Sequence, residues 1–390
     1  MMKLLPLVSL VLLSGFGYAQ GEPVLRSGDH KKLAKPLGKW MEAKAGQETE
    51  DQLKARDDLN KALESVQKSA RGKEVLSLVG DWSEALRQAR GTMVPRARTG
   101  KLQVRDTPAG KMALWVPKKY NPKKSAVPLL VLLPGPAEDP EAVVEALPSA
   151  VTGVFAVACP DLRDLDGDQM MEGAGRGRIL GAGLGIPNQE LLLDWNRIYL
   201  AGFGDSGAVA AQYGCLMPYY FAGVAIINGS TPEGLPSSNR ELCGLTELAA
   251  AADLETWLGK ETLRNPYPTE FKMEFTKAWA PRAYWIVAES FEAADSNGKP
   301  ASLTVKVDRA SNTINLTGEK VYKVNLFLND AIVDLSKPIN IVRNNKPYQY
   351  EAARSVGRIL ESFWAMGLDW GQVYPSAVYQ LELPTPEDGE

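Results

Sequence analysis

The chain has 390 residues, 44 Lys and Arg against 47 Asp and Glu, a formal charge of −3 and a single histidine, His30. Its 45% hydrophobic and 8% aromatic content is that of a folded chain rather than a disordered one, and the length predicts two or three structural units. No basic excess is present to recruit nucleic acid or an anionic membrane. One histidine excludes a multi-histidine metal site, and any histidine acid/base other than His30 itself.

Residues 1–19 read as a signal peptide: Lys3 supplies the charge, Leu4 to Leu13 the apolar run, and Gly17-Tyr18-Ala19 the small residues before a cleavage after Ala19. The expected location is secreted or periplasmic. The apolar run is too short to span a bilayer and no longer one follows, so no membrane span is expected. Cys159, Cys215 and Cys243 lack Cys-x-x-Cys spacing, which excludes a zinc site or redox motif. In an oxidising compartment at most one bridge can form. Cys159 lies in an apolar, strand-like run, so the candidate pair is Cys215 with Cys243; three buried free thiols are the equal alternative.

Residues 20–99 predict a helical N-terminal region. Thr49 and Gln52 form a capping box ahead of the stripe Leu53, Leu59, Leu63, Val66, and a second stripe runs through Val75, Leu76, Val79, Trp82 and Leu86. The charged faces are expected to be solvated. His30, beside Lys31 and Lys32, reads as a surface histidine near a loosely held terminus.

Residues 100–265 change period. A hairpin (Leu102 to Arg105, Met112 to Pro117) precedes apolar runs at Val127 to Leu133, Val154 to Cys159, Ile198 to Phe203 and Phe221 to Ile227, with helices at Glu141 to Leu147 and from Gly207. Strands alternating with helices predict a parallel sheet with helical crossovers. A long glycine-rich loop is expected between the second and third runs, and a helix over Leu245 to Leu258. Residues 266–390 predict a β-rich domain: Leu303, Val305 and Val307 alternate with polar neighbours, Val321 to Leu328 and Ile339 to Val342 are strands, and Asn344-Asn345 is a turn. One amphipathic helix, Val356 to Trp364, stops at Gly367.

The most informative segment is Asn196-Arg-Ile-Tyr-Leu-Ala-Gly-Phe-Gly-Asp-Ser-Gly-Ala208, where a strand runs directly into a glycine-rich turn and a helix. Small residues two before and two after the tip permit the sharp turn of a nucleophile elbow. This resembles the elbow of the α/β-hydrolase superfamily. Val127 to Gly135 resembles its strand and oxyanion loop, and Val154 to Asp161 the next strand. Tyr267-Pro268, Arg282-Ala-Tyr-Trp285 and Leu328-Asn-Asp330 resemble the β-rich C-terminal domain of secreted bacterial esterase-like proteins. The resemblance spans about residues 100–385. It implies an α/β fold: an α/β-hydrolase-like parallel sheet with a helical N-terminal extension and a mainly β C-terminal domain.

The catalytic positions depart from that pattern. In the register of the elbow the nucleophile falls on Gly204, Pro134 stands where the oxyanion loop usually has His, and no histidine follows residue 30. The strand that should carry the acid is expected to be deleted, so the core is read as truncated. Losing the serine or the histidine of a serine hydrolase costs on the order of 10⁶ in turnover. No catalytic residue is therefore expected. Two register slips remain open: Ser206 as fallback nucleophile in Gly204-x-Ser206-x-Ala208, and Asp205 as a carboxylate nucleophile.

Asp164, Asp166 and Asp168 have the first carboxylate spacings of a calcium loop, but Gln169 and Gly175 replace its turn glycine and bidentate Glu, so a solvated loop is expected. Gly173-x-Gly175-x-Gly177 and Gly181-x-Gly183-x-Gly185 do not complete a dinucleotide fingerprint. No metal and no cofactor is expected. The reading is a secreted non-catalytic protein of hydrolase-like fold acting in binding or structure, on an unknown small-molecule or protein ligand. The alternatives are a serine esterase using Ser206, and carbohydrate or protein binding through the C-terminal β domain.

Overall fold

A computed structural model describes residues 23–292 and 298–384; the expected signal peptide lies outside them. The described residues begin with three helices, α1 (Ser27–Ala45), α2 (Thr49–Gln67) and α3 (Val79–Met93). Leu33, Leu37 and Met41 of α1 and Trp82, Ala85 and Leu86 of α3 carry the stripe that joins them, each fully buried. The expected capping box is not formed: Glu48 is the N-cap and Thr49 the first helical residue. The tight turn after α1 leaves the Ala43 carbonyl accepting from the Glu48 amide at 2.8 Å and from Gln52 Nε2 at 3.3 Å, so Gln52 is used backwards across the turn.

Seven strands follow: β1 (Gln103–Thr107), β2 (Gly110–Trp115), β3 (Val127–Leu133), β4 (Ala156–Pro160), β5 (Leu193–Phe203), β6 (Gly223–Ile227) and β7 (Leu245–Leu248). They form one sheet in the order β1-β2-β4-β3-β5-β6-β7. β1 and β2 are antiparallel, β2 runs antiparallel to β4, and every pairing from β4 through β3, β5 and β6 to β7 is parallel. This is the α/β-hydrolase order. All seven residues of β3 and all five of β4 and of β6 are buried, which is why they read as unbroken apolar runs.

Two expectations fail here. Residues 245–258 are not one helix: β7 occupies 245–248 and only Asp253–Leu258 is helical. The strand expected to be deleted is thus present. The glycine-rich stretch is not a loop either, but a continuous helical run comprising Gly173–Arg176, a π-helix over Gly177–Gly185, and Ile186–Glu190. Its glycines serve close packing: a Cβ on Gly183 would lie 2.9 Å from Val131 Cγ1, and one on Gly175 2.0 Å from the Met170 carbonyl oxygen.

The C-terminal part holds β8 (Glu270–Phe275), β9 (Arg282–Ala283), β10 (Ile286–Phe291), β11 (Ala301–Asp308), β12 (Thr313–Glu319), β13 (Val321–Leu328), β14 (Ile339–Arg343), β15 (Lys346–Tyr350) and β16 (Ser376–Glu382). They form a five-stranded sheet, β15-β14-β12-β11-β8, and a four-stranded one, β16-β13-β10-β9. The turn at Asn344-Asn345 has φ of 43° and 67°, as asparagine tolerates, and the helix Val356–Ala365 ends before Gly367 at φ 73°.

This part is not a loose appendage. Arg264 and Asp369 form a buried, two-pronged ion pair (2.7 and 3.0 Å). Arg264 Nη1 also donates to the Tyr219 carbonyl at 2.8 Å, and its backbone amide to that of Asn196 at 2.9 Å, so the pair ties the core to the segment after the last helix. Asp369 accepts further bonds from the Gly371 amide and Gln372 Nε2, and Gln372 Oε1 accepts from Arg282 and Tyr374. Trp40 of α1 meets Trp364 edge-on at 6.0 Å, joining the N-terminal helices to the same region.

Candidate functional site

The elbow is built by three glycines with different duties. A Cβ on Gly202, at the end of β5, would come within 2.4 Å of the Ser206 carbonyl oxygen. One on Gly207 would lie 2.7 Å from both the Gly202 carbonyl oxygen and Ile226 Cγ2. These two must be bare for the strand to turn into the helix Gly204–Leu216. Gly204 at the tip is different: its φ is +51°, the left-handed conformation, yet a Cβ there would meet nothing within 4 Å. The tip has room for a side chain and carries none.

Ser206 and Asp205 flank it. Ser206 is 0% exposed and its Oγ has no hydrogen-bond partner, as befits a small residue packed under a tight turn. Asp205 is exposed, in the first turn of the helix where the dipole favours a negative charge. Neither is paired with a base in the hydrogen bonds of the described residues.

The loop after β3 places its amide where an oxyanion donor would be sought. Pro134 and Pro136 have no N–H, and the Gly135 amide donates to Glu138 Oε2 at 2.7 Å. The loop therefore turns a carboxylate onto its own donor. A developing negative charge at that amide would meet an anion already in place. Glu138 escaped the sequence reading; its signal was the three-residue spacing from Gly135 in a proline-braced turn.

Other candidate groups are committed elsewhere. His30 is not a surface residue: it is 5% exposed, and its Nε2 lies 2.7 Å from Asp81 Oδ1 between α1 and α3. Asp81 also accepts from the Val24 and Leu25 amides, at 3.0 and 2.9 Å, so the terminus expected to be loose is pinned. β7 brings Glu247, but its carboxylate accepts from the Thr231 amide and hydroxyl at 2.7 and 2.6 Å. Four alanines follow β7, and the next acid, Asp253, accepts from the Ala250 amide at 3.0 Å in its own turn. Burial, with the charges of Asp161, Glu138 and Asp139, pushes the Cys159 thiol well up and keeps it neutral. Asp164 pairs with Arg178, and Asp166 caps the helix Gly167–Met171 with Gln169 closing the box, so two of the three loop aspartates serve local structure.

Cys215, near the end of the elbow helix, and Cys243, just before β7, are both buried with sulfurs 3.9 Å apart. A cavity of about 280 Å³ opens at the other end of the sheet, where β4 and β5 begin, among Val154, Phe155, Arg197, Tyr199, Glu255 and Glu261. No elbow residue lines it. Among the described residues no group of three or more His, Cys, Asp or Glu side chains is placed to hold a metal ion, and no helix is long and apolar enough to cross a membrane.

No family model matches the sequence, and no curated protein does. Solved structures with partial likeness include the S-formylglutathione hydrolase of Staphylococcus aureus, 15% identical, covering 45% of this chain and 77% of that one at a TM-score of 0.30. A thermostable esterase is 19% identical over 41% of this chain and 59% of its own, with a TM-score of 0.27. A ferulic acid esterase of Anaeromyces mucronatus is 10% identical over 43% and 81%, with a TM-score of 0.29. The fold is read from the strand order and the elbow of this chain.

Proposed function

We propose that this chain is a non-catalytic protein of α/β-hydrolase fold that acts in binding or structure. One observation carries the reading: the tip of the elbow is Gly204, in the left-handed conformation and facing open space, so the turn that presents a nucleophile is kept and the nucleophile is not. The carboxylate of Glu138 on the Gly135 amide supports it, because that donor is engaged before any substrate arrives. So does His30, which is held by Asp81 in the helical layer. Without nucleophile and base, a hydrolase loses on the order of 10⁶ in turnover.

The test is hydrolysis of p-nitrophenyl acetate and butyrate by purified protein, with fluorophosphonate labelling alongside. The expected rate equals that of buffer and is unchanged in Ser206→Ala, and no label is taken up. Labelling that disappears in Ser206→Ala would overturn the reading in favour of a serine esterase. The same reading includes export to the periplasm or exterior, motivated by Lys3 and the run Leu4 to Leu13; N-terminal sequencing of the exported chain should begin at Gln20, and an intact Met1 counts against it.

A further inference from the structure

α1 and α3 are in contact along their length, but small residues open a groove on one side of that contact. Ala34 and Gly38 of α1 and Gly91 of α3 line it, and the turn carrying Pro122 and Lys123 forms one wall; the open groove has a volume of about 660 Å³. Five cations border it, Lys31, Lys35, Lys39, Arg87 and Lys123, against two carboxylates, Glu42 and Glu84. Glu84 is already taken by Arg87 through two bonds of 2.7 Å, and by Gln88 at 2.7 Å. Lys39 reaches Asp58 at 3.4 Å. Lys31, Lys35 and Lys123 have no carboxylate within 4 Å among the described residues.

Lys31, Lys35 and Lys39 are spaced four residues apart, which puts them on one helix face and makes each repel the next. A chain of net charge −3 has no general surplus of cations, so a row of three facing a groove is a local concentration. At 1.5 Å rise per residue their stems stand about 6 Å apart and span about 12 Å. An anion lying along the row would relieve the repulsion, and a row of about 12 Å matches a short one.

The geometry points to this groove as a binding site for a small oligoanion carrying two or more phosphate or sulfate groups spaced along α1. It is independent of the elbow and would stand whether or not the chain hydrolyses esters. Inorganic tripolyphosphate and sucrose octasulfate distinguish the two sources of such groups.

Calorimetric titration of the full chain at low salt should give one-to-one binding of at least one probe, weakening steeply as salt is raised. Lys31→Gln with Lys35→Gln should weaken it at least tenfold. Lys54→Gln with Lys61→Gln, the same charge change on the exposed face of α2, should leave it unchanged. Binding of neither probe, or equal weakening by both pairs, overturns the proposal; either probe alone supports it and names the source. Duplex DNA binding as tightly as the small probes would also overturn it, since that would show a general attraction to polyanions rather than a site for a small one.

Discussion

On the proposed non-catalytic reading, the bare tip at Gly204 and the Glu138 carboxylate on the Gly135 amide mean that restoring one residue would not restore turnover. Gly204→Ser places a side chain in open space, so its cost is only that of a non-glycine residue at φ +51°, about 1–2 kcal/mol. An unfolding free energy from urea denaturation lowered by that amount, with ester hydrolysis still at the buffer rate, is the expected outcome; turnover above buffer would show that a base exists that the described contacts do not reveal. Asp81 is the opposite case. It is 1% exposed and holds His30 and the Val24 and Leu25 amides, so Asp81→Ala orphans three donors at once. Leaving buried donors unpaired costs about 1–3 kcal/mol each, partly recovered by relaxation, so a loss of about 3 kcal/mol is expected by urea denaturation. A loss under about 1 kcal/mol would mean that the terminus is not pinned.

At the scale of elements, what was legible in the sequence was whatever burial wrote into it. β3, β4 and β6 are apolar along their whole length because both faces are covered, and the helix Val356–Ala365 shows its buried stripe of Val356, Ile359, Leu360 and Phe363. β7 was illegible because an edge strand of four residues with exposed Glu247 runs into four alanines, a composition that favours helix. The π-helix read as a loop because its glycines, placed for contact with Val131 and Met170, have the composition of flexible chain. His30 was misread because Lys31 and Lys32 beside it suggested a surface near a loose terminus; α1 begins at Ser27, and with Leu33, Leu37 and Met41 His30 completes a buried stripe. The strand and turn of the elbow were legible because Gly202 and Gly207 are a local requirement, though its helix begins at Gly204 rather than at Gly207; the Arg264–Asp369 pair, 105 residues apart, left no local trace. Two expectations follow for elements. Gly207→Ala, which forces a Cβ to 2.7 Å from a backbone oxygen, should cost about 2 kcal/mol or more, against the milder Gly204 change. Oxidation by a dithiol–disulfide oxidant should join Cys215 to Cys243, lowering the thiols titrated in denaturant from three to one; three thiols after oxidation would show that the sulfurs do not meet.

For the molecule as a whole, buried tyrosines set the alkaline limit. Burial pushes Tyr199 and Tyr213 up to about 12, and Tyr120, Tyr219, Tyr220, Tyr267, Tyr284 and Tyr374 also upward. A group raised in the folded state contributes stability that is complete below its unfolded value, about 10, and lost as pH rises through the folded value. The urea midpoint should therefore fall with rising pH above about 10. Absorbance at 295 nm should show part of the 13 tyrosines ionising near 10 and the rest only as the chain unfolds. Smooth ionisation of all of them near 10 in a still-folded chain would contradict the burial described.

The Arg264–Asp369 seam bears on kinetics as well as on architecture. Its charges have Asn196 and Tyr219 on the core side and the Gly371 amide and Gln372 on the other, so opening it means exposing a desolvated ion pair before any of its partners can be regained from water. The boundary between the seven-stranded core and the β-rich C-terminal part is thus the part of the chain expected to let go last. In hydrogen exchange the amides of Arg264 and Gly371, bonded to Asn196 and Asp369, should be among the slowest, and the two parts should exchange as a single cooperative unit rather than swing about a hinge.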